Sequence, residues 1–403
     1  MKREQVQDWM MRVEEERKRT SPPSDFPTFP ELPAGRYVGE SFFLAEKEFM
    51  WKRCWLYAAH EDQLAEPGDC VLWNYGSSSI VLIRDNDGEV RAFYNTCRHR
   101  GAPVVPKGSN RVNRQMVCGY HGWTYDRRGR LIKASESRDW NEESIRCRNL
   151  ISVRCEKYAC WYFINEDSSS VSLEEFLRPI TRHIDHLPLE NLRLINRSVY
   201  KVRANIKIVI ENFLESYHFN FLHKNTTHRF LDNRGTNVHL WENGHSLMLS
   251  PNRRREWKDP GTEGLPEMDG CTEIEKANNP SYCVFPNLIL PIAPTGIPGI
   301  AMWPTGLDSS VLEVLWFAPD HAIGPLDSIW SVRIENFDRI IQEDIQFAEP
   351  IQESIESPGF TGVALSYQER RIYHWHETLD SYFEGKGITK DLEVPPLLRK
   401  WVE

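Results

Sequence analysis

The sequence predicts an α+β chain in two parts, a small all-β domain followed by a larger domain that mixes strands with helices. Three observations carry this. From about residue 37 to 166, short runs rich in β-branched and aromatic residues alternate with Gly, Asn and Asp turns. After Asp167, strand-like and helix-like periodicities follow one another. And 403 residues exceed what a single small core organises.

The elements follow in order. Residues 4–18 form a polar, charged helix, and SPPSDFPTFPELPAG is a connector whose prolines exclude regular helix or central strand. CVLWNYG, SIVLIRD, VRAFYN, QMVCGYH and YACWYFINE read as strands, and DNDGEV and DRRGRL as hairpin turns. SLEEFLRPITRHIDHL is a helix with Ser172 placed to cap it. RSVYKVRANIKIVIENFLESYH runs from strand into helix. HSLMLS, YCVFPNLILPIA, GIAMWPT and VLEVLWFAP are further strands, and residues 327–356 a helix that Pro350 kinks or ends. Residues 251–279, polar and rich in Gly and Pro, read as a long loop. The expected organisation is an N-terminal helix and connector (1–37) packed on the larger domain, the β domain (38–166) and the larger domain itself (167–403).

Composition excludes several classes. Apolar residues at 40% and charged residues at 27% describe a globular protein, and aromatics at 11%, with 14 Trp, suit a large apolar pocket. A formal net charge of −9 counts against nucleic acid or an anionic membrane as the main partner. The N-terminus lacks an apolar signal core, and no run approaches the roughly 20 apolar residues of a spanning helix. The expected location is cytoplasmic. The nine Cys are irregularly spaced, as expected of reduced thiols and metal ligands rather than a disulfide framework.

Four stretches carry chemistry. In NTCRHRGAPV one residue separates Cys97 from His99; in VCGYHGWTYD two separate Cys118 from His121. Two Cys and two His fit a structural zinc, or a cluster with two thiolates on one iron and two imidazoles on the other. Each pair here is mixed, one Cys and one His, whereas zinc fingers pair like with like. In NFLESYHFNFLH, Asn212, Glu215 and His218 fall on one helical stripe. His223 lies roughly 140° from His218 around a helix axis, so one metal needs a break between them. Two His and a carboxylate would suit a non-haem Fe(II) site. IIQEDIQFAEPIQ offers Glu343, Asp344 and Glu349, and the residues alone do not choose between Glu343 and Asp344. HWHE (374–377) and RHIDHL (182–187) read as structural.

Together, C-R-H-R-G with C-G-Y-H-G-W, E-S-Y-H-x-x-x-x-H, and E-D-x-x-x-x-E-x-x-Q resemble the motifs of the Rieske non-haem iron oxygenases, large (alpha) subunit, over about residues 38–385. The resemblance implies a Rieske [2Fe–2S] domain and a helix-grip, START-like catalytic domain with an antiparallel sheet flanked by helices. It implies Cys97 and Cys118 on the inner iron, His99 and His121 on the outer one. Gly101, Gly119 and Gly122 would let backbone pack close, and Tyr120 and Trp123 would shield the cluster. His218, His223 and Asp344 would hold mononuclear Fe(II). Glu215 would bridge an iron-ligand His to a cluster His of a neighbouring subunit; with Asn212 it is the candidate catalytic pair. Two departures stand out: Gly119 where many relatives have Pro, and Glu rather than Asp at 215, as in a few relatives that act on quaternary amines.

The resemblance further implies O₂ as co-substrate and NAD(P)H oxidised by a separate flavin/iron–sulfur reductase, at times through a ferredoxin. No G-x-G-x-x-G follows a strand here. A homotrimer is expected, with or without a small β-subunit. The expected reaction is mono- or dioxygenation, either hydroxylation or oxidative demethylation or cleavage of a small organic molecule, an aromatic compound first. The alternatives are a quaternary-ammonium monooxygenase and, in another class, an electron-transfer protein without catalytic iron. Candidate pocket residues are Phe213, Phe219, Phe221, Trp241, Phe285, Asn287, Leu288, Met302, Trp303 and Trp316.

Overall fold

The computed structural model describes residues 3–76, 78–254, 257, 260–320 and 327–403. It contains two compact units, Lys52–Leu173 and the combination of Met1–Trp51 with Glu174–Glu403.

In the first unit, strands β2 (Leu56–His60), β3 (Cys70–Trp73), β4 (Ile80–Arg84), β5 (Val90–Tyr94), β9 (Ser152–Tyr158) and β10 (Trp161–Asn165) form one antiparallel sheet in the order β2-β10-β9-β5-β4-β3. A second small sheet joins β6 (Met116–Val117), β7 (Thr124–Tyr125) and β8 (Leu131–Lys133), followed by one turn of helix, α4 (Glu142–Ile145). Their shared core contains Val81, Ile83, Phe93, Val104, Val105, Trp123 and Tyr125, together with Cys97 and Cys118. Alternate residues of β4, Val81 and Ile83, thus belong to the core that contains the two Cys, as a strand of period two allows.

In the second unit, strands β11 (Leu192–Val202), β12 (Asn237–Leu240), β13 (Ser246–Pro251), β14 (Asn278–Val284), β15 (Leu288–Pro291), β16 (Ile297–Gly306) and β17 (Ser309–Pro319) form a seven-stranded antiparallel sheet in the order β11-β17-β16-β15-β14-β13-β12. A two-residue ladder pairs β1 (Leu32–Pro33) with β18 (Gly362–Val363). The helices are α1 (Arg3–Lys18), α2 (Gly35–Val38), α3 (Glu40–Glu46), α5 (Leu173–Ile184), α6 (Ile206–Glu211), α7 (Glu273–Ala277), α8 (Asp327–Ile355) and α9 (Arg370–Phe383). Helix α1 inserts Trp9 against His183 and His239, with ring centroids at 5.1 and 4.7 Å.

Several boundaries differ from expectation. Residues 38–51, assigned from sequence to the β domain, are helical and belong to the second unit. Two contacts join the segment to this unit: Glu46 of α3 accepts two 2.8 Å hydrogen bonds from Lys207 Nζ of α6, both side chains fully buried, and Phe42 and Phe49 pack edge-on against Phe383 of α9. The supposed loop 251–279 begins in β13 and ends in α7 and β14. Thr272 and Glu275 form a capping box that starts α7, a signal the compositional reading passed over. Residues 255–256 and 258–259 of that stretch lie outside the described residues. Helix α8 continues through Pro350 to Ile355. Helix α6 stops at Glu211, so Glu215 and His218 leave the helical stripe for a turn and a 3₁₀ segment, Tyr217–Asn220.

The buried HWHE histidines serve packing. His374 Nε2 lies 2.9 Å from the Trp241 carbonyl, and His376 Nε2 lies 2.9 Å from Glu211 Oε1. Tyr37 Oη donates to the same Glu211 oxygen at 2.7 Å. Burial raises the Glu211 carboxyl from its ordinary 4.5 to about 8. Because its folded pKa exceeds its unfolded one, its stabilisation is complete below about pH 4.5 and lost as pH rises through about 8. Glu211→Gln should therefore flatten the decline in urea-unfolding free energy between those pH values. A variant that declines as steeply as the parent would contradict the assignment.

Candidate metal centres

The two Cys/His loops of the first unit share one backbone pattern despite their different spacing. Cys97 N donates to Ala102 O at 2.8 Å and Gly101 N to Cys97 O at 2.9 Å. In the second loop Cys118 N donates to Trp123 O and Gly122 N to Cys118 O, both at 2.9 Å. Each closes on a glycine in the left-handed region, Gly101 at φ +79° and Gly122 at φ +70°, which other residues adopt at a cost. Gly119 is not among the positive-φ glycines and has open space where a Cβ would stand, so close packing is not its reason for being glycine.

Cys97 and Cys118 are buried at 3% and 2% exposure, whereas His99 and His121 are half-buried, their ring centroids 4.5 Å apart. Trp123 stacks on His99 at 5.0 Å and Trp140 meets it edge-on at 5.5 Å. Tyr120 is exposed but its ring lies 3.8 Å from that of His121. Burial raises the Cys97 thiol pKa, and the Cys118 thiol beside it acts in the same direction. Burial also lowers the pKa of His99, helped by His121 and Arg100. A neutral imidazole is what a metal needs, and His99 Nδ1 is buried with no hydrogen-bond partner.

The donor set discriminates between one ion and a cluster. A tetrahedral zinc holds its ligands at about 2.0–2.3 Å, which places all four donor atoms within roughly 4 Å of one another. Among the described residues, the one group that brings three ligand atoms within 4.8 Å of one another is a different one, and this quartet does not. The quartet does not converge on a point; buried thiols on one side and half-exposed imidazoles on the other fit a two-iron cluster. Tyr125 Oη, which accepts from Arg98 N at 3.0 Å, lies 3.4 Å from Cys97 Sγ, and with a thiolate there the hydroxyl donates to sulfur.

The group that does converge is His218, His223 and Asp344, in the second unit. Asp344 Oδ1 lies 3.0 Å from Nε2 of His223 and 3.7 Å from Nε2 of His218. That oxygen is buried and aligned for a hydrogen bond to neither ring. Three donors facing one point without bonding each other is an arrangement suited to a cation, and two His with one carboxylate suit Fe(II). The site also attracts positive charge: burial opposes protonation of His223, but the carboxylates of Asp344 and Glu343 outweigh it and raise its pKa.

Local folding places each ligand. Asn205 caps α6, its Oδ1 accepting from Lys207 N at 3.0 Å, and its own N donates to Gln352 Oε1 of α8 at 2.8 Å. Glu349 accepts from Arg203 Nη2 at 2.9 Å. The Glu and Gln of E-D-x-x-x-x-E-x-x-Q thus tie α8 to the start of the segment that carries His218. Glu215 Oε1 meets Nδ1 of His218, and its Oε2 accepts from the backbone N of Tyr217 and of His218, the latter at 3.2 Å. Asn212 closes the C-terminus of α6 and is not part of the converging group. Sequence reasoning missed the role of Glu343, whose Oε2 lies 2.7 Å from Nδ1 of His223, and of Thr226, which donates to that oxygen at 2.5 Å. The adjacent acids of the E-D pair were the available signal.

The pocket candidates scatter. Phe219 is beside the triad, with ring centroids 5.1 and 5.8 Å from His218 and His223, and it packs with Leu231, Met248 and Phe230. Phe213 is half-buried, its carbonyl accepting from Arg371 at 3.4 Å. Phe221 is 81% exposed. Trp241 stacks between His183 and Tyr282, and Phe285 stacks on Tyr382. Asn287 Nδ2 donates to the Met302 carbonyl at 2.6 Å, and Trp316 sits under the Arg333 guanidinium at 5.0 Å. Leu288, Met302 and Trp303 are buried in strands β15 and β16.

Residues 54–147 match the Rieske [2Fe-2S] domain family, and residues 189–385 match the ring hydroxylating alpha subunit (catalytic domain) family. The carnitine monooxygenase oxygenase subunit of Acinetobacter pittii is 31% identical over 202 residues, 49% of this chain and 54% of that protein, so the chain spans about half of that relative's length. The toluate 1,2-dioxygenase subunit alpha of Pseudomonas putida is 26% identical over 90% of this chain and 85% of its own. A solved quaternary ammonium Rieske monooxygenase superposes with a TM-score of 0.75 at 21% identity, over 90% of this chain and 99% of that one, which establishes a shared fold. Among the described residues no helix is long and apolar enough to cross a membrane.

Proposed function

The chain belongs to the Rieske oxygenases, joining a [2Fe–2S] domain to a ring-hydroxylating alpha-subunit catalytic domain, and from that premise we propose that it is the oxygenase component of a multicomponent system acting on a small organic substrate. The observation that carries this is the convergence of His218, His223 and Asp344. Cys97 and Cys118 would hold one cluster iron, His99 and His121 the other, and the triad would hold mononuclear Fe(II). When bound, the cluster supplies single electrons and the iron activates O₂ for insertion into substrate.

The chain's own residues do the rest. Glu215 keeps the N–H of His218 on Nδ1, leaving Nε2 to face the ion. Phe219, beside the triad, packs with Leu231, Met248 and Phe230 in an apolar cluster that suits an uncharged ring. NAD(P)H is oxidised on a separate flavin/iron–sulfur reductase. A homotrimer in the cytoplasm accords with this reading. Glu rather than Asp at 215, together with the carnitine monooxygenase relatives, supports a second substrate reading, a quaternary ammonium compound.

The test supplies iron-loaded protein with NADH, a flavin/iron–sulfur reductase and either an aromatic acid or a trimethylammonium acid. Hydroxylated ring product is expected. Release of trimethylamine instead would select the second reading. NADH consumption without loss of either substrate class would favour an electron carrier and count against oxygenation.

A further inference from the structure

We propose that Glu343 is a positioning residue for His223, held by Thr226, and is not itself a metal ligand. This rests on the triad assignment above. Glu343 and Asp344 are consecutive on α8, hence about 100° apart around its axis. They reach opposite edges of one imidazole: Glu343 Oε2 is 2.7 Å from Nδ1, Asp344 Oδ1 is 3.0 Å from Nε2.

A neutral imidazole carries one N–H. A carboxylate at Nδ1 keeps the hydrogen there and leaves the Nε2 lone pair facing Asp344 and His218. His223 is 2% exposed, so solvent is a poor substitute for that acceptor. Glu343 is itself held. Thr226 Oγ1 donates to the same Oε2 at 2.5 Å, and Thr226 N donates to the His223 carbonyl at 3.1 Å. Ring, carboxylate and hydroxyl close a small cycle around the first turn after the ligand.

Glu215 makes the equivalent contact on His218. The difference lies in origin. Glu215 is three residues from the histidine it orients, whereas Glu343 comes from the helix that supplies the third ligand. Helix α8 therefore sets two of the three donor directions, one through Asp344 and one through His223. A displacement of α8 would be felt at both.

The test loads apo-protein anaerobically with Fe(II) and measures its Kd by competition with a chromogenic chelator. The cluster spectrum and thermal midpoint are recorded on the same samples. Glu343→Ala should weaken Fe(II) binding by about 10–100-fold, as loss of an outer-shell partner does, with both other readouts unchanged. Glu343→Gln keeps an acceptor oxygen and should recover part of the loss. Thr226→Val, a smaller change, should weaken binding in the same direction. Parental affinity in Glu343→Ala would overturn the proposal. So would a Glu343→Ala site as empty as that of Asp344→Ala, which would make Glu343 a ligand. Failure of the parent protein to take up Fe(II) at the triad would instead remove the function reading beneath it.

Discussion

Asp344→Ala is expected to empty the mononuclear site and abolish turnover while leaving the cluster spectrum as it is. The carboxylate is the only anionic member of the converging group, 4% exposed and buried with the oxygen that faces both imidazoles. Its removal leaves two neutral rings, too few donors and no charge to retain a dication in competition with water. The loss should exceed the roughly 10–100-fold typical of an outer-shell partner. Iron should fall from about three to about two per chain, the two belonging to the cluster. The cluster ligands lie in the other compact unit, so its absorption serves as an internal control for folding. Retained turnover in Asp344→Ala would return the third-ligand role to another carboxylate.

The second large effect concerns stability. Lys207→Ala should destabilise the second unit by roughly 3–5 kcal/mol, the range for breaking a buried ion pair from one side. Lys207 Nζ donates to both oxygens of Glu46 at 2.8 Å, with neither side chain exposed. Burial raises the Glu46 pKa and lowers that of Lys207, each partner offsetting only part of the other's desolvation. Without Lys207, the Glu46 carboxylate is stranded and must take up a proton. The variant's deficit should therefore be smaller in acid than at neutral pH, where holding that proton costs more. Urea unfolding of parent and variant at both pH values reads this. Replacing both residues by apolar side chains of similar volume should recover most of the loss; a double variant as unstable as the single one would show that the effect is packing and not charge. The pair also joins α3 to α6, so its loss should loosen the segment that leads to His218.

Much of this was legible in the sequence because some signals are local. The hairpins around Gly88 and Gly129 follow from turn chemistry, and both turns occur where expected. The Cys/His loops follow from glycines that only particular backbone conformations require. The end of helix α6 was not legible, because every residue from Ile206 to Ile210, Lys207 included, is buried and leaves no periodic signal for where the helix stops. Glu343 and Asp344 could not be separated, since adjacency on a helix fixes the angle between two side chains but not what each one meets. The pocket was the least legible part. Trp241, Phe285 and Trp316 are buried while Phe221 faces solvent, and neither composition nor burial distinguishes a ring that lines a cavity from one that fills a core. Segment 38–51 was misplaced for a related reason: a fully buried Lys–Glu pair reads in sequence as two surface charges.

The measurement that tests the account most directly is an EPR spectrum of anaerobically purified protein before and after dithionite, with iron and acid-labile sulfide counted on the same sample. A red-brown protein is expected, whose reduced form has an average g below about 2, with about three irons for every two sulfides. A colourless protein holding a single zinc would contradict this expectation at both centres.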